Sequence, residues 1–289
     1  MSSFLISIFN MSIAGGFVIL LALIARFFMR NISKDFTYIL WGVVCFRLIC
    51  PVGINFQSII DIVQGNSSGG FFSRTEYIPI ELGAVLKDTE SGPTGSIVIV
   101  LLFLFLVWFL GFAWLLTKEI LAYCNAKKRL LTAIKISDHV FESDQIESAF
   151  IFGLIHPKIY VPVGITDKER HYMLCHESIH IQRKDFLIKF FQCFVLAIHW
   201  FNPFVWLAFK HMEIDMEMSC DERVIKLSGE KSRKEYAEII FRFCTTKIRV
   251  TKAMLTFGTS NTRKRVSSIL HKKDSTIIGL IFAVSVCVK

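Results

Sequence analysis

The sequence predicts a multi-pass α-helical membrane protein with a mainly α, α+β domain on its cytoplasmic side. Three observations predict this class: apolar residues collected in long runs, basic residues placed asymmetrically around those runs, and a change near residue 118 to shorter, punctuated segments. Of 289 residues, 53% are hydrophobic, and the mean hydropathy is +0.51, beyond the usual range of soluble domains.

Three runs approach the roughly 20 apolar residues that cross a bilayer. Residues 4–29 carry no charge before Arg26, residues 36–56 carry Arg47, and residues 97–117 carry none. The first run lacks the basic start and small-residue cleavage site of a signal peptide, and a second run follows at once, so a retained span is expected. Arg26, Arg30 and Lys34 lie between the first two runs, and Lys118, Lys127, Lys128 and Arg129 follow the third. The stretch between the second and third runs is acid-rich instead, with Asp61, Glu76, Glu81, Asp88 and Glu90 against Arg74 and Lys87. The positive-inside rule then puts the N-terminus outside, the short first loop inside, the acidic loop outside and everything after Thr117 inside. The net charge of +9 is thereby accounted for by topology, and no direct contact with nucleic acid is expected. Eight cysteines form no C-x-x-C pair, and none falls in the outer loop, so a disulfide scaffold is excluded.

The expected organisation is a three-span module over residues 1–117 with its outer loop at 52–95, a cytoplasmic domain over 118–273, and the start of a fourth, incomplete span over 274–289. Residues 118–135 read as a helix leaving the membrane. Residues 139–163 are rich in strand formers punctuated by Gly153, Pro157 and Pro162, and predict a small hairpin or meander; part of it offers an edge to an extended peptide. Thr166-Asp167-Lys168-Glu169 is a capping box opening a helix. Residues 186–200 are almost wholly apolar yet short for a span, as suits a buried or membrane-dipping segment. Asn202-Pro203 caps a second helix extending to about residue 227, and a basic helix is expected over 232–247.

The first of these helices carries His176-Glu177-Ser178-Ile179-His180. Histidines four apart put both imidazoles on one helix face, one turn apart, able to hold one Zn²⁺. Glu177 follows the first ligand toward the open side, where a carboxylate can take a proton from the attacking water. The second helix offers Glu213, Asp215, Glu217, Asp221 and Glu222 as a third ligand. Glu217 and Asp221 share a face, so that one can bind metal while the other orients a ligand histidine; Glu213 stays open on spacing alone. No oxyanion-stabilising side chain is evident, His211 and Arg223 being the candidates. Ser228-Gly-Glu-Lys231 matches an acyl-serine signature without its partner motifs and reads as chance.

The chain resembles the membrane zinc metalloproteases of the BlaR/MecR type, the β-lactam sensor-transducers, which are gluzincins more distantly similar to the HtpX and CAAX-processing proteases. The resemblance rests on Tyr38-Ile-Leu-Trp41, Phe152-Gly-Leu-Ile-His-Pro-Lys-Ile-Tyr-Val-Pro162, His176-Glu-Ser-Ile-His180 with Arg183 and Asp185, His199-Trp-Phe-Asn-Pro203, and Asp215-Met-Glu-Met-Ser-Cys-Asp221. It implies a gluzincin domain in which Glu217 is the third zinc ligand and Asp221 its outer partner. It also implies that the substrate is a cytoplasmic protein, a transcriptional repressor in antibiotic-resistance signalling, with self-cleavage as well. Such sensors carry an extracellular penicillin-binding domain after a fourth span. Here residues 276–288 are a partial span and Lys289 closes the chain, so this sensor is expected to be absent. The expected cofactor is zinc, and the expected partners are the protein substrate and the lipid bilayer, with self-association left open. Two rival readings are a general membrane quality-control protease and a non-enzymatic receptor or scaffold with structural zinc; Glu177 argues against the latter, because a structural site has no use for that carboxylate. Self-cleavage is expected between residues 249 and 265, near Phe257, where turn-favouring residues cluster.

Overall fold

The computed structural model describes residues 2–29, 32–50, 95–246 and 262–270. The acidic outer loop, the terminal apolar tail and most of the expected self-cleavage stretch lie outside the described residues.

Helix α1 (Ser2–Phe28) and helix α3 (Gly95–Arg129) are each long and apolar enough to cross a membrane. α1 buries Ile19, Ala22 and Ala25 and exposes Phe17, Leu21 and Phe27, as expected of a helix with one face on protein and another on lipid. α3 runs 35 residues without a break, about 52 Å at 1.5 Å per residue. That exceeds a hydrocarbon core of roughly 30 Å, so the third expected span and the helix expected to follow it are one rod. It ends at Arg129 rather than at residue 135, because Ile134–Lys135 pairs as a strand. Helix α2 (Lys34–Ile49) has 16 residues, about 24 Å, and buries Thr37, Leu40, Trp41, Val44 and Leu48 at helical spacing.

Strands β1 (Ile134–Lys135), β2 (Val140–Ser143), β3 (Phe150–Phe152) and β4 (Lys158–Pro162) form one sheet in the order β1-β2-β4-β3. The expected hairpin is present, but the strands of this region do not follow one another as a meander. β1–β2 and β3–β4 are each antiparallel hairpins, but β4 inserts between β3 and β2 and runs parallel to β2. Tyr160 at the centre explains the insertion, since its ring packs against Phe141, Phe150 and Phe152 from both neighbours. The β3–β4 turn needs Gly153, at φ +108°, where a Cβ would sit 2.6 Å from the His156 carbonyl oxygen. β3 is left as an edge strand beside the next helix.

Helix α4 (Asp167–Arg183) starts at the expected capping box, with both reciprocal bonds between Thr166 and Glu169 present. It ends at Lys184, which adopts the left-handed conformation at φ 57° and lets helix α5 (Asp185–Ile198) begin immediately. Helix α6 (Pro203–Ser228) is capped by Asn202, whose side chain accepts from the Phe204 N–H at 2.9 Å. Helix α7 (Arg233–Thr246) follows a short 3-10 turn, and helix α8 (Thr262–Leu270) packs on α6 and α7.

α6 is the axis of the fold. Its N-terminal half joins a core with α1, α2 and α5 built on Ile19, Trp41, Leu196, Val205 and Phe209. Its C-terminal half joins a second core with α4, α7 and α8 built on Ile179, Cys220, Val224, Tyr236 and Ile269. The two cores meet at residues 212–220 of α6, a stretch that carries the buried Glu213 and Asp215.

Candidate metal centre

α4 presents His176 and His180 toward α6, both buried, with ring Nε2 atoms 3.2 Å apart. Two nitrogens bound at 2.0–2.1 Å with tetrahedral angles stand about 3.3 Å apart, so the pair has the spacing of two ligands on one zinc-sized ion. The tautomers follow from the bonding network. Tyr236 donates its hydroxyl to Asp221 Oδ1 at 2.7 Å and so accepts from His176 Nδ1 at 2.9 Å. His180 Nδ1 donates to Asp185 Oδ2 at 2.6 Å. Both histidines therefore carry the proton on Nδ1 and turn the Nε2 lone pair toward the site, as metal ligands do.

The sequence candidates on α6 separate here. Glu217 reaches both rings, Oε2 at 3.4 Å from His176 Nε2 and Oε1 at 3.7 Å from His180 Nε2. Asp221 lies behind His176, 3.4 Å from Nδ1, and is joined to Glu217 by Arg265 of α8. That guanidinium donates to both Asp221 oxygens at 2.8 and 2.7 Å and stands 3.1 Å from Glu217 Oε2. Asp215 turns away, fully buried, to accept two bonds from Arg26 and one from Trp41. Glu222 accepts from the Ser33 hydroxyl and the Lys34 N–H. Glu213 is buried, close enough to Lys189 to act on its charge. Glu177 is half-buried on α4 and also within electrostatic reach of Lys189, whose Nζ is 3.7 Å from Glu217 Oε1. His211 stacks on Trp41 and Arg223 pairs with Asp35, so both oxyanion candidates lean on α2.

Three contributors were given no role from the sequence. Cys220, three residues past Glu217 on the same helix, brings its sulfur within 4.8 Å of the ligand atoms of His176 and His180. Asp185 is oriented toward His180 by the left-handed Lys184. Arg265 arrives from a separate helix. The i, i+3 spacing of Glu217 and Cys220 could have flagged the first, and Asp185 stood in the histidine motif of the resemblance; nothing local flags Arg265.

The electrostatics favour charge. Burial disfavours protonated His176 and His180, but Cys220 and neighbouring oxygens outweigh it, holding His176 well above the usual histidine range and His180 up to about 9. Burial likewise opposes the Glu217 carboxylate, yet Arg265, His176, His180 and Lys189 hold it well below its usual range. Asp221 is lowered despite its burial, chiefly by Arg265 and His176. The Cys220 thiol is lowered as well, the two histidines overcoming burial. In this electrostatic setting the second proton of each ring sits on Nε2, where a divalent cation would displace it, and the lowered Glu217, Asp221 and Cys220 groups supply the negative charge such a cation needs.

A relative from Bacillus licheniformis, regulatory protein BlaR1, is 35% identical over 127 residues, which is 43% of this chain and 21% of the relative. Methicillin resistance mecR1 proteins of Staphylococcus aureus and Staphylococcus epidermidis are each 29% identical over 104 residues, 35% of this chain and 18% of theirs. The chain thus spans about a fifth of the length of the curated relatives it matches. A family model described as BlaR1 peptidase M56 matches residues 6–269, a range that takes in α1, α2, the histidine pair, α6 and Arg265, and the chain belongs to that peptidase family.

Proposed function

We propose that this chain is a membrane-embedded zinc metalloendopeptidase that hydrolyses peptide bonds of a cytoplasmic protein. The observation that carries the reading is the pair of Nε2 atoms at 3.2 Å, both freed for metal by Nδ1 bonds, with the Glu217 carboxylate at 3.4 and 3.7 Å. His176, His180 and Glu217 would hold the zinc, and Asp221 would act behind His176 through Tyr236. Glu217 is preferred to Cys220 because its carboxylate oxygens face both Nε2 atoms, at 3.4 and 3.7 Å, and a third protein ligand leaves one position open as catalysis needs. Bound zinc supplies a Lewis acid that polarises the scissile carbonyl and acidifies water. Glu177 takes the proton from the attacking water and hands it to the leaving amine. Lys189 adds a cation beside these carboxylates. The β3 edge, beside α4, is suited to hold a substrate in extended form.

Basic residues flanking α1 and α3 support a cytoplasmic site, the resemblance supports a transcriptional repressor of antibiotic-resistance signalling as substrate together with self-cleavage, and the turn-favouring residues favour a cut between residues 249 and 265. The testing experiment incubates the chain, reconstituted in liposomes, with repressors of this class and follows fragments by mass spectrometry. Cleavage that stops with a chelator and returns with added zinc is expected. Cleavage indifferent to chelation would contradict the proposal, and fragments from many unrelated unfolded proteins at equal rates would favour quality control.

A further inference from the structure

We propose that Tyr38, on membrane-module helix α2, is a positioning residue of the metal site: it holds the Asp185 carboxylate that orients His180. The inference rests on the metallopeptidase reading and adds that the site is incomplete without α2.

The Tyr38 hydroxyl donates to Asp185 Oδ1 at 3.0 Å, across 147 residues of sequence. Asp185 Oδ2 accepts from His180 Nδ1 at 2.6 Å. Each carboxylate oxygen thus has its own partner, and the plane of the carboxylate is fixed at both ends. Asp185 is 1% exposed, so water cannot take the hydroxyl's place. The tyrosine ring is fixed in turn. The Arg183 guanidinium lies 4.5 Å over its face, with Arg183 Nε 3.4 Å from Asp185 Oδ2 and Arg183 donating to Ser219 on α6 at 2.8 Å.

α2 is itself locked to α6 on the same side. Trp41 donates to Asp215 at 2.9 Å, and Ser33 and Lys34 donate to Glu222 at 2.8 and 3.0 Å. Ser219 also bonds Asp35. These bonds set where α2 lies and thereby keep the Tyr38 hydroxyl on Asp185 and, through Asp185, fix the ring whose Nε2 faces the metal. Carboxylates behind ligand histidines set ring orientation and basicity, and their loss typically weakens metal binding about 10–100-fold. Tyr38 stands one bond further out, so a smaller effect of about 3–10-fold is expected of its removal.

The experiment measures zinc affinity of the full-length chain in detergent micelles by competition with a chelator of known affinity. The variants are Tyr38→Phe, Asp185→Asn, the double variant, and Ile39→Ala as a control from the exposed face of α2. Tyr38→Phe should bind zinc about 3–10-fold more weakly and Asp185→Asn more weakly still. The double variant should be no worse than Asp185→Asn alone, because both act through one carboxylate. Wild-type affinity in Tyr38→Phe, or losses that multiply in the double variant, would overturn the proposal, as would an equal loss in Ile39→Ala. If His180→Ala loses zinc while Tyr38→Phe does not, the relay falls and the metal site stands. If His180→Ala binds zinc like the wild type, the metallopeptidase reading falls with it.

Discussion

Replacing Asp215 with alanine should loosen the junction of α1, α2 and α6 by about 3–5 kcal/mol, the usual cost of removing one partner of a buried ion pair. The magnitude follows from what is left behind. Asp215 is fully buried and accepts from Arg26 Nε at 2.7 Å, Arg26 NH2 at 2.9 Å and Trp41 Nε1 at 2.9 Å. Bonds to a charged group contribute about 1.5–3 kcal/mol each, but the lost carboxylate also sheds its own burial cost, so the three do not sum. Arg26 keeps a 22% exposed side chain and can regain some hydration. Trp41 is 1% exposed, and its N–H would be stranded. Thermal unfolding of the chain in detergent, followed by tryptophan fluorescence at fixed zinc, should shift down by about 6–20 °C, at roughly 2–4 °C per kcal/mol for chains near this size. Arg26→Met strands the carboxylate instead, so the double variant should cost about 1–3 kcal/mol less than the sum of the singles. A shift below about 2 °C, or additive singles, would refute the reasoning.

Glu217→Ala should lower zinc occupancy far more than Glu213→Ala, with Cys220→Ser near wild type, by metal analysis of the purified variants; equal occupancy in all three would move the third ligand elsewhere. Protons compete with a metal for His176 and His180, whose folded-state values lie above the usual histidine range, about 9 for His180. Zinc affinity should therefore rise with pH across the neutral range, since there binding must expel protons from both rings; an affinity flat from pH 6 to 8 would contradict those shifts. Arg265→Met leaves Asp221 and Glu217 without the guanidinium between them and should destabilise the chain by about 3–5 kcal/mol in chelator. Saturating zinc should recover part of that loss, since it binds the folded site and partly neutralises Glu217; an identical loss with and without zinc would count against the shared carboxylates.

What was legible in the sequence was local. The Thr166–Glu169 capping box, the Asn202-Pro203 start, the i, i+4 histidines and the uninterrupted apolar runs each depend on residues within a turn or a run of one another. The strand region was legible as strand but not in its order, because pairing β4 with β2 depends on packing around Tyr160, which alternation does not encode. The site's supporting shell was illegible for the same reason at greater range. Asp215 was one of five acids offered as a third ligand, and its actual partner, Arg26, lies 189 residues away. Tyr38 opened one of the motifs of the resemblance without an assigned role, and residue 265 entered as the end of the expected self-cleavage stretch. Their roles arise from the meeting of α2, α6 and α8, to which no periodicity points.

The central claim is that Glu177 acts on water beside a metal it does not hold. Its most direct test compares wild type and Glu177→Gln, both loaded with zinc in liposomes, for cleavage of the same repressor substrate, with zinc content measured on the same samples. The account predicts equal zinc and a rate lower by about 10²–10⁴-fold, the usual contribution of a positioned general base. Cleavage by Glu177→Gln at the wild-type rate would contradict it.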